Sequence, residues 1–122
     1  NLRGAVYQVY GYKGKQVRDN IHAYDVACFV QRFLEAPRCG EVYNLGGGRE
    51  NSCSILEAFA RVERITGMPM KWEYQDVPRR GDHICYISNL AKLQSDYPGW
   101  RITKTLDDIF SEIADAWAAR VA

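Results

Sequence analysis

Several common signatures are missing from this chain of 122 residues. No apolar run approaches the roughly 18–20 residues of a membrane helix, and no charged-then-apolar leader opens the chain. Histidine and methionine occur twice each and proline four times. The four cysteines, Cys28, Cys39, Cys53 and Cys85, lack a CxxC or other zinc-like spacing, and the two histidines supply no helical or knuckle ligand pair. There is no basic run, and the net charge of +1 removes any global attraction to nucleic acid or an anionic membrane. No complete GxGxxG loop is present, and no tyrosine is followed four residues later by lysine.

What is present is ordinary for a soluble globular protein: 47% hydrophobic and 25% charged residues. The length fits a single domain, residues 1–122, that buries roughly two-thirds of its unfolded surface. A core of that size needs no disulfide framework, so the expectation is reduced thiols in a cytoplasmic protein. Cys28 and Cys85 read as small buried hydrophobes. A start at Asn1 rather than methionine points to a fragment.

The pattern predicts a mixed α/β fold of short strands with about four helices. Val6–Tyr10 is β-branched and aromatic, and Gly11 and Gly14 bracket a turn before Gln16-Val17-Arg18, an extended segment or hairpin. Asp25 is a suitable N-cap for a helix carrying Val26, Phe29, Val30, Phe33 and Leu34, which Pro37 stops. Residues 41–45 read as a buried-type strand ending in Gly46-Gly47-Gly48. Ser54 and Glu57 form a capping box, and Gly67 ends the helix they open. Strands follow at Lys71–Gln75 and Ile84–Ile87. Asn89 caps a short helix. A last helix after Thr105 places Asp107 and Asp108 at its positive end, with Leu106, Ile109, Phe110, Ile113 and Trp117 as its apolar stripe.

Two stretches carry chemistry: residues 11–25 (GYKGKQVRDNIHAYD) and Pro78-Arg79-Arg80-Gly81-Asp82-His83. Arginine makes paired, charge-assisted hydrogen bonds to phosphate oxygens, and two arginines from distant segments can clamp a diphosphate if the fold brings them together. Pairing of each with a local carboxylate, Asp19 or Asp82, is the other reading, and the residues alone leave both open. Lys13 and Lys15 read as a solvated turn, and His22 as a hydrogen-bonded structural histidine. Asp82 reads as the orienter of its own turn. Gly46-Gly47-Gly48 lies between a strand and a helix, where a dinucleotide loop belongs, but the third fingerprint glycine is replaced by Asn51.

Those two stretches, together with Tyr43-Asn44-Leu45-Gly46-Gly47, resemble in their order the C-terminal half of the extended short-chain dehydrogenase/reductases, the NAD-dependent epimerase/dehydratase family of nucleotide sugars. CDP-sugar epimerases are the nearest subtype, and the similarity runs from about Tyr7 to Trp117. The resemblance implies a substrate-binding-type domain without a Rossmann domain. It implies Arg18 and Arg79 as diphosphate ligands, Arg80 beside them at a variable position, and Gln16 and Tyr10 near the base. Tyr10 as an ordinary strand aromatic stays open. NAD is the parent family's cofactor, implied to be held by a complete Rossmann domain, with catalysis by a Tyr-Lys pair. This chain alone is therefore expected to bind no cofactor, supply no catalytic residue and turn nothing over. The expected ligand is a nucleotide diphosphate sugar. The expected protein partner is a Rossmann domain or a second copy of the chain, a self-associating module being the alternative role.

Overall fold

The computed structural model describes residues 1–121, with strands β1 (Val6–Tyr10), β2 (Val17–Asp19), β3 (Ser52–Ser54), β4 (Lys71–Gln75) and β5 (Cys85–Tyr86). Its helices are α1 (Ala23–Glu35), α2 (Ile55–Thr66), α3 (Ala91–Asp96) and α4 (Leu106–Val121). This is the mixed α/β layout that the sequence pattern predicts. The described residues form two compact units, interleaved in sequence: residues 1–18, 53–86 and 107–121, and residues 19–52 and 87–106.

In the first unit β1 pairs with β4 in parallel, Val6 opposite Lys71 through Tyr10 opposite Gln75. Strand β2 pairs in parallel with β5, Val17 opposite Cys85. The hairpin alternative for Val6–Arg18 is therefore corrected: β1 and β2 lie in separate sheets. Turn propensity at Gly11 and Gly14 says only that the chain bends there, whereas pairing is chosen by partners far along the chain. Val9 is fully buried, and Phe59 of α2 lies edge-on to Tyr7 at 5.2 Å. The capping box forms as expected: Glu57 N donates to Ser54 Oγ, Ser54 N donates to Glu57 Oε2, and Gly67 closes the helix in the left-handed region.

The second unit packs around Phe29, Leu90, Leu93, Tyr97 and Trp100. The Phe29 ring meets Tyr97, Tyr43 and Trp100 edge-on at 5.5, 5.8 and 6.0 Å, favourable geometries for aromatic quadrupoles. Residues 41–45 form no strand; Tyr43 and Leu45 alternate because both pack onto this cluster. Asp25 is not the cap of α1 either. His22 is, its Nδ1 accepting from Tyr24 N at 2.9 Å. Asp25 lies within the first turn, fully buried, and its carboxylate accepts from Thr103 N, Thr103 Oγ1 and Lys104 N. A side chain short enough to cap a helix is also short enough to be swallowed by it when donors approach from elsewhere. Asn89 does accept from Ala91 N at the start of α3.

Two further expectations change with packing. Cys85 is exposed, because β5 is too short to be covered, while all four cysteines are free thiols. On α4 the stripe is buried at Leu106 but leaves Ile113 53% and Trp117 42% exposed.

Candidate oxyanion site

Within the first unit, strand β2 ends beside the loop that follows β4, and this juxtaposition assembles a cluster of charge. Arg18 Nη2 lies 2.6 Å from Asp82 Oδ1, and Arg79 Nη2 lies 3.6 Å from Asp82 Oδ2. The two arginines of the sequence motifs therefore meet at one carboxylate. Asp82 is held in place by its own turn: its N–H donates to Arg79 O at 3.1 Å, with Gly81 at φ 79°. That is the type II pattern, in which the third residue needs a positive φ. Asp82 thus orients its turn, as expected, and in addition anchors Arg18.

The two guanidiniums differ in freedom. Arg18 is fixed at both ends, since its Nη1 donates to Val17 O, and its side chain is 38% exposed. Arg79 is 67% exposed and makes the long, solvated contact. Arg80 is exposed beside it. Two guanidiniums thus converge on one carboxylate, a donor set of the kind that also meets phosphate oxygens.

Gln16 and Tyr10 are brought together, in a way the sequence does not reveal. Gln16 is 3% exposed and its Nε2 donates to Tyr10 O. Its Oε1 is buried without a hydrogen-bond partner. The amide therefore staples the turn between β1 and β2, while the Tyr10 residue is 40% exposed. Within that turn Gly11, Tyr12, Lys13 and Gly14 all have positive φ, 64°, 48°, 55° and 70°. Two consecutive non-glycine residues in the left-handed region are costly, about 1–2 kcal/mol each, and such strain gathers at functional loops. The closely spaced glycines were the available signal for it. Gly11 has a second constraint, because a Cβ there would sit 2.7 Å from Pro78.

The glycine triplet belongs to the second unit and has a protein ligand. Asp19 Oδ2 accepts from Gly48 N and Ser88 N, each at 3.0 Å. Burial pushes the Asp19 carboxyl up, but hydrogen bonds from the Ser88 N–H and hydroxyl and from Gly48 N outweigh it. Its pKa consequently lies below the ordinary value. A Cβ on Gly46 would sit 2.2 Å from Ser88 Oγ, and one on Gly47 only 2.0 Å from Asn20 O. The triplet is glycine because neighbouring chain touches it, and the Gly48 amide already serves a carboxylate. Among the described residues no three His, Cys, Asp or Glu side chains gather as metal ligands would.

No protein-family model matches the chain. CDP-paratose 2-epimerase of Salmonella typhi is 30% identical over 82 residues, 66% of this chain and 24% of that protein. Among solved structures, dTDP-glucose 4,6-dehydratase from Bacillus anthracis, in complex with NAD, is 27% identical with a TM-score of 0.81, covering 97% of this chain and 36% of its own. UDP-glucose 4-epimerase from Bifidobacterium longum, in complex with NAD+ and UDP, is 28% identical with a TM-score of 0.72, covering 85% of this chain and 32% of its own. The Thermotoga maritima UDP-glucose 4-epimerase, solved with UDP-glucose, shares the fold at a TM-score of 0.83 and 24% identity over 99% of this chain. This chain thus spans about a third, or less, of the length of the proteins it matches.

Proposed function

We propose, on the footing that this chain is similar over nearly its whole length to part of the NAD-dependent epimerase/dehydratase proteins, that it is their nucleotide-sugar-binding segment. The diphosphate would lie between Arg18 and Arg79, with Arg80 adding charge at the rim. The observation that carries this reading is the convergence of Arg18 and Arg79 on Asp82 from segments far apart in sequence. Asp82 holds Arg18 in position without ligand, so little side-chain ordering remains to be done on binding. Arg79 exchanges a weak, solvated contact for a phosphate oxygen, a small loss against a charge-assisted gain. Tyr10 and the turn stapled by Gln16 would face the base.

We read the segment as inactive by itself. It lacks a Tyr-x-x-x-Lys pair, and the glycine triplet spends its donor on Asp19. NAD would be held by a Rossmann domain supplied from elsewhere. The free thiols are compatible with a cytoplasmic setting, and among the described residues no helix is long and apolar enough to cross a membrane.

The test is calorimetric titration with CDP, UDP and dTDP, beside an Arg18→Ala/Arg79→Ala variant. Saturable binding of at least one nucleotide, lost in the variant, is expected. Absence of saturation below millimolar concentration in the parent chain would remove the reading. The order of the three nucleotides decides whether the CDP subtype holds.

A second reading rests on the bare stripe of α4. Ile113, Trp117 and Val121 line an apolar groove of about 350 Å³ with Leu2, Val62 and Phe110. Such a groove favours self-association of the isolated chain, most simply as a twofold dimer. Light scattering at high concentration distinguishes a dimer from a compact monomer, and a monomer removes this reading.

A further inference from the structure

A cleft of about 570 Å³ lies wholly within the second unit, and the diphosphate reading makes no use of it. Its volume is in the range of small-molecule sites. Part of its lining is apolar and firmly backed: Leu90 belongs to the buried cluster, and Ile102 packs against that cluster. Arg49 and Arg101 also line it, and both are exposed. Several other arginines of this chain are ion-paired, Arg38 with Asp96 and Arg61 and Arg64 with Asp107. The Arg49 and Arg101 guanidiniums stand outside every ion pair and hydrogen bond among the described residues, Arg49 being bonded only through its carbonyl, which accepts from Ser52. Glu50 shares the lining yet forms no ion pair with either. Two uncompensated guanidiniums therefore share one concave surface with an apolar wall.

We propose that this cleft binds a phosphomonoester whose organic body has an apolar face. The two guanidiniums match the double charge and multiple acceptor oxygens of a phosphate better than the single charge of a carboxylate. Leu90 and Ile102 cover the apolar face, removing it from water. The exposed Gln94 amide, also in the lining, supplies a further donor. Glu50 opposes the anion and sets a ceiling on affinity. The proposal is independent of the Arg18–Arg79 reading, because every residue it uses lies in the other unit.

The experiment is a titration followed by amide NMR, with phenyl phosphate as probe and benzoate and inorganic phosphate as comparators. Phenyl phosphate should saturate while shifting the resonances of Gly47, Gly48 and Gln94. It should bind about tenfold more tightly than inorganic phosphate, which lacks the apolar body. Arg49→Ala/Arg101→Ala should weaken it about tenfold or more, whereas Arg18→Ala/Arg79→Ala should leave it unchanged. Glu50→Gln should tighten it about two- to fivefold by removing a like charge. Equal affinity for benzoate or inorganic phosphate, sensitivity to Arg18 and Arg79 instead, or no saturation by about 10 mM, well weaker than ordinary small-molecule affinities, each overturns the proposal.

Discussion

Arg18 and Arg79 should be equivalent in ligand binding and sharply unequal in folding. The Asp82 side chain is only 10% exposed, and its buried Oδ2 has no hydrogen-bond partner. Its close ionic partner is Arg18 at 2.6 Å, with Arg79 at 3.6 Å as a distant second. Removing one member of a buried pair costs about 3–5 kcal/mol, because the other charge stays buried. Arg18 is 38% exposed and Arg79 remains nearby, so Arg18→Ala should cost less, about 2–3 kcal/mol. Arg79→Ala removes a solvated contact and should cost about 0–1 kcal/mol. With a urea slope of about 2 kcal/mol/M, the midpoint should fall by about 1–1.5 M for Arg18→Ala and by at most about 0.5 M for Arg79→Ala. Arg18→Ala/Asp82→Ala should regain at least half of the loss, since no buried charge is stranded. In nucleotide titrations each single variant should lose about tenfold or more, the worth of a charge-assisted hydrogen bond. Equal urea midpoints for the two variants, or no recovery in the double variant, would refute the claim that Asp82 is a buried anchor for Arg18.

Lys13→Gly should stabilise the fold by about 1 kcal/mol, because glycine meets no penalty at the positive φ that Lys13 holds; thermal denaturation reads this directly. Gly47→Ala should cost about 3 kcal/mol or more and exceed Gly46→Ala, since its Cβ meets the Asn20 carbonyl rather than side-chain ends; soluble yield and urea midpoints compare the two. Asp19 has a folded-state pKa below its ordinary 3.8, so at acid pH the carboxyl binds fewer protons in the folded than in the unfolded state. Its stabilisation is complete above 3.8 and disappears as pH falls through the lower folded value; Asp19→Asn should be destabilised at neutral pH and show a flatter acid limb in pH-dependent urea titrations. Ser54→Ala should cost about 1 kcal/mol by opening the capping box, read as a lower melting temperature.

Much of the local structure was legible because its causes are local. Ser54 and Glu57 lie within one turn, so their reciprocal bonds follow from spacing, and Gly67 and Pro37 end helices by backbone geometry alone. Strand pairing was not legible in the same way: β1 could as well have turned back onto β2, and its partner β4 lies more than half the chain away. Residues 41–45 misled because alternation reports burial of every second side chain, and Tyr43 and Leu45 achieve that on the Phe29 cluster without a ladder. Asp25 misled because its donors, Thr103 and Lys104, come from a distant loop. At the candidate site, Arg18 and Arg79 stood out by residue type, while the burial of Gln16 and the partly empty valence of its amide oxygen had no sequence signal.

The sequence by itself determined where α2 begins and ends, where α1 stops, which turns need glycine, and that Arg18 and Arg79 have the chemistry to hold a phosphate. These depend on bonds between near neighbours and on side-chain valence. Only the tertiary structure decided that Arg18 and Arg79 share Asp82, that the glycine triplet cradles Asp19, and that Arg49 and Arg101 line one cleft. Each of those outcomes depends on which distant segments exclude water together, and no local pattern encodes that choice.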